Sequence, residues 1–377
     1  MKTFNIGLVG CGFMGKTHTF GYKTIPLYYE NLPFKINLKT VCASGKESAK
    51  NAAERMGYEN YTDNFDDIIN DESIDIVDIC TPNYLHADEI FSAVKAKKHI
   101  YCDKPLVSKL ADAEKIADLE KNYEKCTQIT FQNRFFPATM LAKKMIDEGK
   151  IGKILTFEAK FLHSGSIDKN KPIGWKQDGE KGGGGVIVDL GSHVIDLMRY
   201  LLGDYADIFC KTKILYPERP DKDGNTVKIA AEDEAHALVT MKNGANGVIT
   251  ISKISTGTND ELSFEIYGDK GALRFNLMDA NYLYYFDNTQ KEDVFGGERG
   301  FKQIECVQRF DAPGGLFPSS KSSIGWLRGH VHCLYNFLNC VYENKKCTPN
   351  FSDGAYVNYI MDLMYKSAKD DKTVFCK

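Results

Sequence analysis

A glycine-rich motif near the N-terminus constrains this chain more than any other feature. Residues 10–15 read GCGFMG; they follow a short β-rich run, residues 5–9, and open a helical stretch. The first glycine of such a motif permits a tight turn, the second lets the backbone approach a pyrophosphate, and the third lets the helix pack on the strand. A GxGxxG can also be a plain turn, but its place after a strand favours a dinucleotide site at the helix N-terminus. Its expected contacts are Gly10, Cys11, Gly12, Phe13 and Met14.

The end of the second β-rich run bears on which dinucleotide is bound. NAD sites often carry an acidic residue there that accepts hydrogen bonds from the adenine ribose, but residues 41–46 read VCASGK. Ser44 and Lys46 could instead meet the 2′-phosphate of NADP. Lys46 could equally be a solvated residue in the first turn of a helix. These residues alone therefore leave the choice between NAD and NADP open.

The first third of the chain alternates β-rich runs with amphipathic helical stretches, such as residues 48–56 and 87–96. This alternation is typical of a doubly wound parallel sheet, the Rossmann architecture. The expected strands are residues 5–9, 38–43, 74–80, 99–102 and 127–131. We therefore expect an α/β dinucleotide-binding domain over residues 1–130.

The pattern changes after Gly152, where the runs suit an antiparallel sheet and turn signals separate them. Helical stretches cover residues 191–202 and 354–369, and the second could pack back on the first domain. Residues 131–377 are thus expected to form a substrate-binding and oligomerisation domain on a large, mostly antiparallel open sheet. The expected strands are residues 155–162, 208–215, 236–241, 247–254 and 263–268.

Composition and charge argue against several classes of protein. The formal net charge is −3 and the basic residues are scattered, so a nucleic-acid partner is not expected. No apolar run is long enough to span a bilayer, and residues 1–9 lack the architecture of a signal peptide. We therefore expect a cytoplasmic protein with no membrane association.

The cysteine pattern favours packed thiols over a metal site. Eleven cysteines occur without a paired CxxC motif, so no structural disulfide is expected. Cys333, Cys340 and Cys347 recur every seven residues near His330 and His332, which would allow a metal site. The spacing matches no standard zinc pattern, however, and the preferred interpretation is one face of a helix.

Two segments that should end neighbouring strands carry the next signatures. Residues 78–86 read DICTPNYLH and residues 99–105 read HIYCDKP. Because ligands bind outside the carboxyl ends of strands in an open α/β sheet, both segments should border the cofactor. Together with the glycine motif they resemble the Gfo/Idh/MocA family, whose hallmark here is Glu-Lys-Pro; this chain has Asp103 in place of the glutamate. The expected cofactor contacts are Thr81, Pro82, Asn83, His86, Asp103 and Lys104.

The resemblance implies catalytic residues in both parts of the chain. The lysine of the family motif lies beside the nicotinamide and the reacting hydroxyl, a role that falls here on Lys104. Residues 182–193 read GGGGVIVDLGSH and resemble the second-domain signature of the family. On a helix, residues four apart share a face, so Asp189 and His193 can both point at the substrate. A histidine suits removal of the hydroxyl proton, with the aspartate orienting it or binding a substrate hydroxyl.

Similarity to the family extends over nearly the whole chain, through GFMGKTH, NRF, YPERP and WLRGHVH. It is strongest to the subgroup of levoglucosan and glucoside 3-dehydrogenases, in which NAD is used without an acidic residue at the second strand. The resemblance thus favours NAD, and a homo-oligomer formed through the open sheet face. It also implies the substrate contacts Lys104, Asn133, Arg134, His163, Trp175, Asp189 and His193; packing alone would explain His163 and Trp175 as well.

The resulting expectation is an NAD-dependent dehydrogenase that oxidises a secondary hydroxyl, at C3, of a sugar, a glycoside (including C-glycosides) or a cyclic polyol. One alternative is an NAD-dependent glycosidase that oxidises C3 only transiently, and another is an inositol dehydrogenase. A non-catalytic dinucleotide sensor is disfavoured because a sensor does not need Lys104, Asp189 and His193 together.

Overall fold

The computed structural model describes residues 1–175, 182–295, 297–307, 317–319 and 321–377 of the chain. These residues form two compact units. The first contains residues 1–132, 317–319 and 326–358, and the second contains the remaining described residues. Residues 326–358, which the sequence division places in the second domain, therefore belong to the first unit.

A six-stranded sheet forms the centre of the first unit, in the order β3-β2-β1-β4-β5-β6. All of its strand pairs are parallel, which confirms the predicted Rossmann-like fold. The sequence analysis did not predict β3, a three-residue strand with no continuous apolar run. The strands are β1 (Lys2–Val9), β2 (Phe34–Cys42), β3 (Asn60–Thr62), β4 (Ile76–Ile79), β5 (His99–Cys102) and β6 (Thr127–Ile129).

Helices connect these strands, and a helix from later in the chain packs against the first of these helices. The connecting helices are α1 (Phe13–Tyr28), α2 (Lys46–Met56), α3 (Phe65–Ile69), α4 (His86–Lys95) and α5 (Leu110–Glu120). A later helix in the chain, here numbered α8 (Trp326–Glu343), packs against α1. The approach is close at Gly21, where a Cβ would lie 2.8 Å from a methyl carbon of Leu334. Glycine at this position thus lets the two helices make close contact.

The second unit is built on a nine-stranded sheet in the order β16-β15-β14-β13-β7-β12-β11-β8-β17. Its strand pairs are antiparallel except for β12 and β7, so the sheet is mixed but mostly antiparallel, as predicted. A separate hairpin pairs β9 with β10. The strands are β7 (Ile154–Leu162), β8 (Tyr205–Lys213), β9 (Glu218–Pro220), β10 (Thr226–Lys228), β11 (Glu234–Met241), β12 (Asn246–Ser252), β13 (Glu261–Gly268), β14 (Gly271–Asn276), β15 (Tyr282–Asp287), β16 (Lys302–Glu305) and β17 (Val374–Phe375).

Helices cover one face of the large sheet. Helix α6 (Pro137–Asp147) packs against β14 and β15, and α7 (Ser192–Leu202) packs against β7. Phe157, Ala159 and Phe161 alternate along β7 and are buried, so this is the core face of the sheet. The last helix, α9 (Phe351–Asp370), contains the predicted helical stretch 354–369. Within the described ranges, no helix combines the length and the hydrophobicity needed to cross a membrane.

Helix α8 accounts for only two of the three evenly spaced cysteines. Cys333 and Cys340 lie on it, but the helix ends at Glu343 and Asn344 has a left-handed φ of 54°. Cys347 therefore lies in the following connection, and the predicted single helix face for all three cysteines is wrong. The seven-residue spacing of the cysteines does not indicate where the helix ends. Asparagine is also only a weak helix-stop signal.

Candidate active site

The glycine turn after β1 has the shape that a dinucleotide site requires. Gly10 has a φ of +93°, and its N–H donates to the carbonyl of Cys42 at 2.9 Å. A Cβ on Gly10 would lie 2.6 Å from the carbonyl carbon of Cys80, and one on Gly15 would collide with the Gly10 carbonyl. A Cβ on Gly12 would meet no heavy atom within 4 Å. Gly12 thus leaves an open approach at the start of α1, which fits a bound pyrophosphate.

The first turn of α1 presents an exposed aromatic ring beside this approach. Phe13 is 70% exposed, and its ring centroid lies 5.6 Å from that of Trp326 on α8. The first turn contains no acidic side chain that would repel an anion. Phe13 and Trp326 therefore form an aromatic pair next to the glycine turn. Met14, the next motif residue, is half-buried.

The residues after β2 are open to solvent. Ser44 is exposed, and Lys46 is the exposed first residue of α2. An adenine ribose held at the glycine turn would lie on this side of the sheet, because ligands collect at the carboxyl ends of the strands.

A buried histidine joins the two loops that follow β4 and β5. The His86 side chain is fully buried; its Nε2 lies 2.9 Å from the Thr81 carbonyl and its Nδ1 lies 3.0 Å from the Pro105 carbonyl. His86 therefore holds these two loops together. In the first of these loops Pro82 is half-buried and Asn83 is buried.

Asp103 and Lys104 lie directly after β5 and are half-buried. The Asp103 N–H donates to the carbonyl of Ile79 at 2.9 Å, which extends the pairing of β4 and β5 to this residue. Lys104 is close enough to His330 on α8 that its charge contributes to lowering the pKa of that histidine. The lysine is thus held beside a buried, weakly basic imidazole.

His330 is deeply buried beside Lys104. It is 4% exposed, its ring lies 4.2 Å from that of Trp326, and neither ring nitrogen has a hydrogen-bond partner among the described residues. Burial is the largest cause of its lowered pKa, followed by the positive charges of His18 and Lys104. A neutral imidazole therefore lies near two cationic side chains.

The sequence analysis missed a buried cluster at the end of β4. His18 Nδ1 lies 2.8 Å from an Asp78 carboxylate oxygen and 3.1 Å from Cys80 Sγ. Burial alone would lower the pKa of His18, but the charges of Asp78 and Asp103 more than offset this effect, and the pKa is raised. Among the described residues, this is the one group of three metal-ligating side chains whose ligand atoms all lie within 4.8 Å of one another. We interpret it as an ion pair with a neighbouring thiol.

In the second unit, Asp189 lies on a π-helical turn and forms an ion pair. The turn spans Ile187–Gly191, directly before α7. Lys253 Nζ lies 2.7 Å from Asp189 Oδ2, and both side chains are 17% exposed. The start of the turn is held by Glu232, whose carboxylate accepts hydrogen bonds from the N–H groups of Gly185 at 3.0 Å and Ile187 at 2.9 Å. Neither Lys253 nor Glu232 belongs to a sequence motif considered above.

His193 lies in the first turn of α7 and is 8% exposed. Its ring centroid is 5.8 Å from that of Phe161 on β7. The prediction that Asp189 and His193 share a continuous α-helix is wrong, because the residues up to Gly191 are π-helical. Such turns occur often at functional sites, where they change which side chains share a face.

Asn133 and Arg134 occupy a short 3-10 helix, Gln132–Phe135, and are buried. Arg134 Nε donates to Asp196 on α7 at 2.8 Å, and the guanidinium lies over the Tyr200 ring at 5.2 Å. The Asn133 side-chain amide has no hydrogen-bond partner among the described residues. Arg134 therefore braces α7, whereas Asn133 retains hydrogen-bonding capacity.

His163 and Trp175 are the most exposed of the sequence-derived substrate candidates in this unit. His163 Nε2 lies 3.4 Å from Asp260 Oδ1, and its side chain is 39% exposed. Trp175 is 38% exposed and directly precedes residues 176–181, which lie outside the described residues. Both side chains can therefore be reached by a small molecule.

Comparisons with known proteins agree with this geometry. Residues 4–131 match the model of an oxidoreductase family with an NAD-binding Rossmann fold, and residues 139–274 match that of the GFO/IDH/MocA C-terminal domain. Levoglucosan dehydrogenase from Pseudarthrobacter phenanthrenivorans is 32% identical, over 99% of this chain and 98% of its own length. The chain belongs to the Gfo/Idh/MocA family. It is therefore an NAD-binding oxidoreductase, as predicted.

One further relative and one solved structure extend the comparison. Myo-inositol 2-dehydrogenase from Thermotoga maritima is 26% identical over 71% of this chain and 74% of its own length. A solved structure of levoglucosan dehydrogenase in complex with NADH superimposes with a TM-score of 0.94 at 32% identity, covering 100% of both chains. These relatives are a sugar dehydrogenase and an inositol dehydrogenase.

Proposed function

We propose that this protein oxidises a secondary hydroxyl, at C3, of a sugar, an anhydrosugar or a glycoside with NAD. The observation that carries the proposal is the similarity, over 99% of the chain, to an enzyme that acts on an anhydrosugar. The half-buried Lys104, the nearly buried His193 and the Asp189–Lys253 ion pair supply suitable chemical groups.

Each of these groups has a distinct role. When bound, NAD accepts the hydride that leaves the carbinol carbon. Lys104 stabilises the negative charge that develops on the reacting oxygen. His193 takes the hydroxyl proton on a ring nitrogen, and Asp189 orients it or accepts a hydrogen bond from a neighbouring substrate hydroxyl. Lys253, 2.7 Å from Asp189 Oδ2, holds the Asp189 carboxylate in a fixed position.

The cofactor contacts belong to the loops at the carboxyl ends of the parallel strands. The glycine turn receives the pyrophosphate, Ser44 and Lys46 flank the adenine ribose, and Asp103 accepts hydrogen bonds from the nicotinamide ribose. In the loop after β4, the residues that contact the cofactor are Thr81, Pro82 and Asn83. Asn133, His163 and Trp175 supply substrate contacts, and Arg134 acts through the helix that it braces.

NADH formation tests this function. The purified protein is incubated with NAD and, separately, levoglucosan, glucose, aryl glucosides and myo-inositol, while absorbance of NADH is followed. The proposal requires steady NADH accumulation with an anhydrosugar, a sugar or a glycoside. Accumulation with myo-inositol alone would favour the inositol dehydrogenase that the Thermotoga relative suggests. Free sugar released from a glycoside without NADH would contradict the proposal in favour of an NAD-dependent glycosidase.

Lys104→Ala tests the assignment of catalytic residues. The variant should lose at least about a hundredfold in kcat, because one preorganised charge at a developing oxyanion contributes that much. NAD binding, measured by calorimetry, should persist. Lys109→Ala is the matched control because Lys109 is exposed and lies outside the loop. Turnover of Lys104→Ala equal to that of Lys109→Ala would refute the role.

A homo-oligomer is the assembly that suits the uncovered sheet face. Leu238 and Val248 are cross-strand partners, 58% and 39% exposed, and Phe209 pairs with Leu238 on its other side. The apolar row ends at β7, where Val248 pairs with Glu158. A second copy of the chain would remove the row from water.

A further inference from the structure

The glycine run before the π-helical turn lies against two side chains from elsewhere in the second unit. Residues 182–185 read GGGG. A Cβ on Gly184 would collide with the Tyr365 hydroxyl, and a Cβ on Gly185 would collide with the backbone of Glu232. Gly184 also has a φ of +153°, which residues with a side chain rarely adopt. Glycine at these two positions therefore lets Glu232 and Tyr365 reach the backbone of the turn.

Glu232 binds the N–H groups at the start of the turn. Its carboxylate accepts hydrogen bonds from the N–H groups of Gly185 at 3.0 Å and Ile187 at 2.9 Å, and its carbonyl accepts one from the Val186 N–H at 2.9 Å. The first N–H groups of a helix have no partner within the helix, so they need acceptors from elsewhere. Glu232 is 7% exposed, so water competes little for these bonds. One buried residue thus satisfies three consecutive N–H groups.

The Tyr365 hydroxyl, on α9, fixes the Glu232 carboxylate. It donates to Glu232 Oε1 at 2.8 Å and accepts a hydrogen bond from the Gly185 N–H at 3.1 Å. Each carboxylate oxygen also has a backbone N–H donor, so both oxygens are bound. A buried polar network whose members are all paired favours a single arrangement. Glu232 and Tyr365 thus form a clamp on the start of the turn.

The clamp is connected to both members of the Asp189–Lys253 ion pair. The Asp189 N–H donates to the carbonyl of Gly185, the residue that the clamp binds, at 3.1 Å. The Lys253 N–H donates to the carbonyl of Asp233, the residue after Glu232, at 2.9 Å. The two side chains then meet at 2.7 Å. Glu232 and its neighbour therefore position the backbone of both partners.

We infer that Glu232 and Tyr365 are positioning residues for the reaction proposed above and act through the turn on the Asp189 carboxylate. The inference rests on the proposed function, in which Asp189 orients His193 or binds a substrate hydroxyl. Neither Glu232 nor Tyr365 has to touch the substrate or the cofactor. A displacement of the Asp189 carboxylate by about 1 Å is enough to lower turnover about a hundredfold.

Glu232→Gln tests the positioning role. The amide keeps the size of the side chain, but its NH2 group replaces one oxygen and faces a backbone N–H, so the turn loses an acceptor. We expect kcat/KM, for the sugar or glycoside that yields NADH, to fall about ten- to a hundredfold. NAD affinity, measured by calorimetry, should stay unchanged. Tyr365→Phe removes only the hydroxyl and should cause a smaller decrease in kcat/KM.

Glu120→Gln is the matched control. Glu120 is 8% exposed and accepts hydrogen bonds from the N–H groups of Phe351 at 2.9 Å and Ser352 at 2.6 Å, at the start of α9. It therefore caps a helix as Glu232 does, but in the first unit. The control should unfold at a lower denaturant concentration than wild type and keep its kcat/KM. A kcat/KM of Glu232→Gln equal to that of the control would overturn the inference.

A double-mutant cycle separates positioning from a general loss of structure. If Glu232 acts through the ion pair, Glu232→Gln combined with Lys253→Met should lower kcat/KM by less than the product of the two separate decreases. Decreases that multiply in full would overturn the inference. If Glu232→Gln does not fold, Tyr365→Phe replaces it in the cycle, and the same two results decide.

The wild-type assay distinguishes the inference from the function on which it rests. Wild-type protein that forms no NADH with any sugar or glycoside would contradict the proposed function and the inference together. An active wild type with an equally active Glu232→Gln variant would contradict the inference alone.

Discussion

Lys253 Nζ lies 2.7 Å from Asp189 Oδ2, and this pair connects the end of β12 with the π-helical turn before α7. Both side chains are mostly buried, so the interaction is stronger than an exposed ion pair. Lys253 thus fixes the orientation of Asp189, the proposed partner of His193.

Lys253→Met should lower kcat/KM by about ten- to a hundredfold, because a hydrogen bond to a charged group contributes roughly 1.5–3 kcal/mol. NAD affinity should stay unchanged, since the substitution lies in the second unit. Steady-state kinetics and calorimetric NAD titration measure the two effects. Lys253→Arg keeps the charge and should recover part of the activity. Equal activity of Lys253→Met and wild type would show that the pair has no part in turnover.

Glu89 makes the free energy of unfolding of the first unit depend on pH. Its side chain accepts a hydrogen bond from Thr81 Oγ at 2.6 Å, and burial raises its pKa from 4.5 to about 7. Between these two values the unfolded chain releases the proton more readily than the folded one, so the free energy of unfolding falls as pH rises. The loss accumulates between these two pKa values and is complete above pH 7. At 1.36 kcal/mol per pKa unit, the total decrease in the free energy of unfolding is about 3 kcal/mol.

Glu89→Gln removes this ionisation and keeps an acceptor for Thr81. The variant should therefore unfold at higher denaturant concentration than wild type at pH 8, and at nearly the same concentration at pH 4.5. Denaturation curves at both values measure the effect. A difference between variant and wild type that is the same at both pH values would contradict the assigned pKa.

The outer sheet face should form the oligomer interface. Leu238→Asp places a charge in the exposed apolar row and should convert the oligomer to a monomer in light scattering coupled to size-exclusion chromatography. Leu119→Asp is the control, because Leu119 is 46% exposed on α5 of the other unit. An unchanged mass for Leu238→Asp would exclude this face as the interface.

Much of the fold could be predicted because strands that bury apolar side chains leave a recognisable run in the sequence. The runs at residues 99–102 and 236–241 match β5 and most of β11, since buried strands are rich in apolar and β-branched residues. Strands such as β3 and β16 escaped prediction because they are short, largely exposed and polar. These segments form strands because they pair with neighbouring strands in the folded sheet. A local sequence pattern does not encode that pairing.

The candidate site was predictable only where its residues belong to motifs. The residues around Gly10, Lys104 and His193 could be identified from the family patterns, although their catalytic and binding roles stay predictions. Lys253 and Glu232 could not be found, because they meet the π-helical turn only after the sheet has folded.

Isotope transfer tests the central claim most directly. Levoglucosan, or whichever sugar or glycoside in the panel yields NADH, is prepared with deuterium at C3 and oxidised with unlabelled NAD. The account predicts that the deuterium appears in the reduced nicotinamide ring in mass and NMR spectra, with a C3 ketone as the other product. Deuterium that remains on the sugar while NADH accumulates would contradict oxidation at C3.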